Sequence, residues 1–186
     1  MKIFFDTEFT GLHKNTTLIS IGLVDENGRT FYAEMLGFDG NQVNDWIQEN
    51  VLNNLLYRTC TNNWCNDDKE NVRCVGYTYY VRPKLEEWLS AYDSVELVSD
   101  VCHYDMVLFI DIFGSAFDIP KNVNPACHDI NQDIAKFYNV SETEAFNISR
   151  EDILSSNNYI IDDKIMKHNA LYDAKVIKEI YNICQK

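Results

Sequence analysis

Short apolar runs alternate with amphipathic stretches along this chain. Ile3-Phe4-Phe5 is wholly apolar and stops at Asp6, which predicts a strand buried on both faces. Residues 17–24 (Thr-Leu-Ile-Ser-Ile-Gly-Leu-Val) predict a second strand, and Asp25-Glu26-Asn27-Gly28 supplies a hairpin turn. Residues 29–35 return as a third strand. Apolar positions at Val43, Trp46, Ile47, Val51, Leu52 and Leu55 predict a helix over about 41–56. Residues 57–75, rich in Asn, Asp and Cys, predict a loop or insertion.

Beyond the insertion, Leu85, Trp88 and Leu89 place a helix near 83–92, and residues 95–98 read as a fourth strand ending near Asp100. Residues 104–113 form an apolar helix, and 129–138 another. Residues 139–163 carry no clear period and predict a long functional loop with a short helix at 150–154. The last helix covers about 170–184, with Leu171, Ala174, Ile177, Ile180 and Cys184 as its stripe. No repeat or linker divides the 186 residues. The expectation is one α/β domain over 1–186, a central mixed sheet with helices on its faces.

Composition narrows the class. The chain is 46% hydrophobic and 13% aromatic, unlike disordered sequences. No apolar run approaches the roughly 18 residues of a membrane span. An acid at position 6 comes too early for a signal-peptide core. A soluble intracellular protein with reduced cysteines is expected. Cys60, Cys65 and Cys74 do not have the short spacings of common zinc sites. The adjacent pairs Cys102-His103 and Cys127-His128 are better explained by packing than by shared ligation. The formal charge of −13 argues against a passive nucleic-acid-binding module, which needs basic surface. It is compatible with an enzyme whose carboxylates meet phosphate through divalent cations.

Candidate chemistry begins at Asp6-Thr7-Glu8. Residues i and i+2 of a strand project from one face, so both carboxylates can converge on one point. Two unpartnered anions repel, and a hard divalent cation such as Mg²⁺ or Mn²⁺ resolves the conflict. An isolated Asp-x-Glu more often opens a solvated loop, so context decides.

Asp6-Thr7-Glu8-Phe9-Thr10-Gly11-Leu12 resembles the first motif of DEDD-superfamily exonucleases, Asp-x-Glu-Thr-Thr-Gly-Leu, with Phe9 in place of a Thr. His168-Asn169-Ala170-Leu171-Tyr172-Asp173 resembles the DEDDh third motif, His-x-x-x-x-Asp. A five-residue helical step turns about 500°, so His168 and Asp173 do not stack on one face. A histidine at the helix entry can still lean over a site held by the Asp one turn in. Tyr104-Asp105, opening an apolar helix, resembles the second motif, although Val101 stands where Asn is usual. Asp100 and Asp111 compete for that middle position. Asp105 is preferred because an acid suits a helix N-terminus.

The order of these motifs, with the opening Phe-Asp-Thr-Glu-Phe, is similar to a compact branch of bacterial and phage 3′–5′ exoribonucleases. The resemblance implies a ribonuclease H-like fold and a two-metal hydrolase using Mg²⁺ or Mn²⁺. It implies Asp6, Glu8, Asp105 and Asp173 as metal ligands and His168 as general base. Thr7, Phe9, Thr10 and Leu12 would contact the substrate. The implied partner is single-stranded RNA or DNA with a free 3′ end, with RNA favoured, in a bacterial cytoplasm or a phage's host. A homodimer is compatible. An exodeoxyribonuclease and a catalytically inactive, nuclease-like binding protein stay open as alternatives.

Overall fold

The computed structural model describes residues 1–66, 68–159 and 167–186. Among them are seven strands, β1 (Lys2–Phe9), β2 (Leu18–Asp25), β3 (Thr30–Met35), β4 (Trp64–Asn66), β5 (Asn71–Gly76), β6 (Val95–Ser99) and β7 (Val123–Asp129). The helices are α1 (Asp45–Asn50), α2 (Thr78–Leu89), α3 (His103–Phe113), α4 (Ile130–Tyr138), α5 (Glu142–Phe146), α6 (Arg150–Ser156) and α7 (Ala170–Cys184). The strands form one sheet in the order β4-β5-β3-β2-β1-β6-β7. β2 runs antiparallel to β1 and β3, and β4 antiparallel to β5. The remaining pairs, β1–β6, β6–β7 and β3–β5, are parallel. The expected mixed α/β architecture is therefore present.

Alternation along the strands builds two cores. Phe5, Phe31, Val72 and Leu97 face one side and pack with Val81, Leu85 and Trp88 of α2 and Phe109 of α3. Phe4, Val24 and Val98 face the other and pack with α4, α6 and α7. That parity sends Asp6 and Glu8 to the α7 side of the sheet, beside Phe4.

The structure differs from the sequence reading in five places. Residues 71–76 are not loop. They add β5 to the sheet beside β3, with Val72 and Cys74 buried and Arg73 between them, and β4 pairs with β5 at the edge. The flanking Asn and Asp residues hide this short alternation. Second, the 41–56 helix is broken into a 3-10 turn at Gly40–Gln42, α1, and another at Leu52–Asn54. Asparagine side chains bond nearby backbone there: Asn44 caps Ile47 N, Asn50 donates to Trp46 O and Asn54 to Asn50 O. Such local bonds compete with helix continuation. Ile47 and Val51 still reach a small core around Ile19.

Third, α2 begins at Thr78 and carries Pro83 inside it, where sequence rules place proline at a helix start. Fourth, β7 was not expected, because only Val123 of its residues is buried and it contains Pro125, features of an edge strand. Fifth, the stretch after 139 holds α5 in addition to the short helix expected at 150–154, which is α6. α5 is closed by a Ser141–Glu144 capping box and α6 is capped by Ser149. The part of that stretch at 160–163 lies outside the described residues. α7 coincides with the expected helix.

Candidate active site

Three chain segments meet at the end of β1. Asp6 and Glu8 come from β1, Asp105 from the first turn of α3, and Asp173 from the first turn of α7. Glu8, His168 and Asp173 each offer a ligand atom, all within 4.8 Å of one another, and they are the one such group of three among the described residues. Asp105 and Asp173 both act electrostatically on Asp6 and on Glu8. The five residues singled out by sequence are thus brought together.

Each side chain is held by local chemistry. Asp105 is buried at 5% exposure and accepts from Thr7 N at 3.1 Å, Thr7 Oγ1 at 2.5 Å and Ser99 Oγ. β1 and β6 are therefore clamped to α3 through one carboxylate. Asn169 caps α7 by accepting from Leu171 N and Tyr172 N, and its amide donates to Tyr32 Oη at 3.2 Å and Asn54 O at 3.0 Å. His168 sits in the left-handed region at φ +64°, and its N–H donates to Asp173 Oδ2 at 2.9 Å. This bond folds the chain back so that the histidine and Asp173 face one space, although their helical phases differ. The His168 ring meets Trp46 edge-on at 5.1 Å.

The substrate-contact set divides. Leu12 is 78% exposed, free to meet a ligand, and Phe9 is half-buried and stacked on Tyr104 at 5.3 Å. Thr7 and Thr10 are buried instead. Thr7 is taken up by Asp105, and the Thr10 hydroxyl bonds Thr17 and Gln42 to close the loop after β1. Both hydroxyls are thus already bonded within the protein. Asp100 accepts both Nε and Nη2 of Arg150, at 2.7 and 2.8 Å, and Asn131 Nδ2 at 2.9 Å. Its oxygens tie α4 and α6 to the end of β6. Asp111 lies along a separate hollow with Leu108, Ile112 and Thr78. Sequence reasoning missed Ser99, Asn169 and Trp46. Of these only Asn169, preceding an apolar stripe, carried a readable capping cue.

Electrostatics set these acids apart from the rest of the described carboxylates. Burial, then Asp105, Asp173 and Glu8, hold the Asp6 carboxyl well above its usual range. Burial and the facing Asp173 and Asp105 push Glu8 up to about 9. Burial raises Asp173 to about 7 and Asp105 to about 6, the latter restrained by its Ser99 and Thr7 bonds. Burial and the neighbouring Lys167 lower His168, against an opposing pull from Glu151, so its imidazole is neutral near pH 7. Four hard oxygen donors crowded in this way fit divalent cations.

These acids bind protons more tightly folded than unfolded, so their stabilising protonation is complete below about pH 4 and is lost as pH climbs. The loss runs through about 6, 7 and 9, the values of Asp105, Asp173 and Glu8. Melting of the metal-free protein should therefore show this site's contribution falling from pH 5 to 9. Mn²⁺ at about 100 times its Kd should restore about 2.7 kcal/mol, or roughly 5–10 °C. A melting temperature at pH 8 that ignores Mn²⁺ and Mg²⁺ would count against cation binding.

Known proteins resemble this chain to different depths. The nuclease domain of 3′hExo, a DEDDh family member solved bound to rAMP, superposes with a TM-score of 0.67 at 15% identity, over 99% of this chain and 91% of that one. A full-length 3′-exonuclease gives 0.64 at 17%, over 99% and 81%. At such identities the likeness establishes a ribonuclease H-like fold. In sequence, the 3′–5′ exoribonuclease Rv2179c of Mycobacterium tuberculosis H37Rv is 31% identical over 134 residues, 71% of this chain and 73% of that protein. The 3′–5′ exoribonuclease MT2234.1 of the CDC 1551 strain matches equally. Residues 1–185 match the model of the Rv2179c-like 3′–5′ exoribonuclease domain. With its carboxylates gathered at the end of β1 and the match running nearly end to end, the chain belongs to the Rv2179c-like 3′–5′ exoribonuclease family.

Proposed function

We propose that this protein removes nucleoside 5′-monophosphates from the free 3′ end of single-stranded RNA in the cytoplasm, using two divalent cations, Mg²⁺ or Mn²⁺. The observation that carries this reading is the convergence of Asp6, Glu8, Asp105 and Asp173, with His168 beside them. Asp6, Glu8 and Asp173 would hold one cation, and Asp6 with Asp105 the other. When bound, the cations supply an acidified water and offset charge on the attacking and leaving oxygens of an in-line displacement.

The protein's own groups do the remaining work. Half-buried and neutral near pH 7, His168 can accept a proton from the attacking water at a ring nitrogen. Thr7 and Ser99 fix Asp105, so that this carboxylate needs no reorganisation when the substrate arrives. Leu12, exposed on the loop after β1, would press against the terminal base, with Phe9 beside it. RNA is favoured over DNA because the matched relatives are named as exoribonucleases.

The test uses 5′-labelled single-stranded RNA with Mn²⁺, Mg²⁺ or chelator. A ladder shortening from the 3′ end, abolished by chelator, is expected. His168→Ala should lower kcat by roughly 10²–10⁴, the usual contribution of a positioned proton acceptor. Undiminished turnover in that variant, or faster digestion of the matching DNA, would overturn the assignment it addresses.

A further inference from the structure

Away from the cations at its carboxylates, an acidic nuclease has little positive charge with which to hold a polyanion. The formal charge is −13, so counter-ion release from basic side chains is a poor source of affinity. Base stacking on aromatic side chains needs no net positive charge. A group of exposed aromatics lies along the sheet from the carboxylates. Trp64 is 38% exposed, Tyr77 47% and Tyr79 72%.

Their placement follows from topology. β1, β3 and β5 run in one direction, so the C-terminal end of β5, where Gly76 leads to Tyr77, lies at the same end of the sheet as Phe9. Trp64 opens β4 opposite Val75, at that end too. Three strand spacings separate β5 from β1, roughly 14 Å. The gap is bridged by Tyr57, which packs with Tyr32, Ala170 and Leu171 at the start of α7 and meets Trp64 at 4.8 Å. The rings are held rather than dangling. Tyr77 and Tyr79 lie parallel within 8°, centroids 5.9 Å apart. Asn63 holds the Tyr79 ring by donating to its Oη at 2.9 Å, and its Oδ1 accepts from the backbone N–H of Tyr77 at 3.2 Å.

We propose that Trp64, Tyr77 and Tyr79 form a stacking platform for upstream bases of the single-stranded RNA whose 3′ end lies at the carboxylates. This rests on the proposed exoribonuclease reading and adds a second contact region to it. Fixed, parallel, exposed rings suit bases of any identity, because every base offers a π-face. The platform would make longer strands better substrates than dinucleotides, with modest dependence on salt.

The experiment compares kcat/KM on a dinucleotide and on a ten-nucleotide RNA of mixed sequence. The parent protein should favour the longer strand. Tyr79→Ala, at the most exposed ring, should shrink that length advantage roughly five-fold or more, and Tyr79→Phe should restore most of it, since the ring stacks and only the Asn63 bond is lost. Trp64→Ala supplies a second, independent site. An unchanged length ratio in both alanine variants overturns the platform while leaving the nuclease reading intact. Equal losses on both substrates also overturn it. A parent protein that degrades neither RNA removes the nuclease reading itself. A change of solution mass in Tyr79→Ala with an unchanged length ratio would assign the patch to self-association instead.

Discussion

An Asp6→Asn protein is expected to lose at least about 1,000-fold in kcat on single-stranded RNA, about 4 kcal/mol of barrier, and yet to melt above its parent when both are metal-free at pH 8. The two effects have one cause. Asp6 sits where Asp105, Asp173 and Glu8 all raise its carboxyl, and burial raises it further. An ionised Asp6 costs folding free energy whenever no cation offsets it, and an amide of the same shape relieves that cost. The same amide is a neutral and weaker ligand for hard cations, so the site that gains stability loses chemistry. Each kcal/mol relieved should raise melting by about 2–4 °C in a chain of this size. Mn²⁺ should then stabilise the variant much less than the parent. Melting below the parent at pH 8 would show that Asp6 is held by compensating bonds rather than by its cation. Parental turnover would remove Asp6 from the reaction.

Much of this site was legible because its residues are local in sequence even where they are distant in space. Asp6 and Glu8 are two apart on a strand, Asp105 opens a helix, and His168 and Asp173 flank a helix entry, all patterns with a direct physical reading. What the sequence hid is of two kinds. β5 depends on a partner, since Val72 and Cys74 mean little until β3 lies beside them. β7 likewise exists through its pairing with β6, on residues that look like loop. The bonding of Thr7, Thr10 and Asp100 was hidden for a different reason. A polar side chain near reactive carboxylates reads as available, and only coordinates show whether its hydrogen bonds are already spent. Thr7 gives its hydroxyl to Asp105, and Asp100 gives both oxygens to neighbours on α4 and α6. The left-handed turn at His168 is also invisible in sequence. It is this turn, with the Asp173 bond to the His168 amide, that lets two groups about 140° apart on an ideal helix serve one space.

The other large effect belongs to a residue with no functional group. Gly22 lies in the middle of β2, directly across from Asp6, and glycine inside a strand marks a weak point or a close backbone approach. Here it is a close approach. A Cβ at Gly22 would stand 2.3 Å from Leu171 N and 2.4 Å from Ala170 C and O, the first turn of α7. Those are backbone atoms, so no side-chain rotation can make room, and the helix itself must lift from the sheet. Asp173 rides on that same turn, and Asn169, which caps it, is fixed from the other side by Tyr32 and Asn54. Gly22→Ala is therefore expected to destabilise by about 3 kcal/mol, the upper part of the usual overpacking range. It should also lower kcat by at least about 100-fold, because displacement of about 1 Å is enough to spoil a convergent site. Gly40→Ala, where an added Cβ meets nothing within 4 Å, is the matched control and should behave like the parent. If Gly22→Ala instead kept parental activity and melting, the seating of α7 against β2 would not be what carries Asp173 to Asp6 and Glu8.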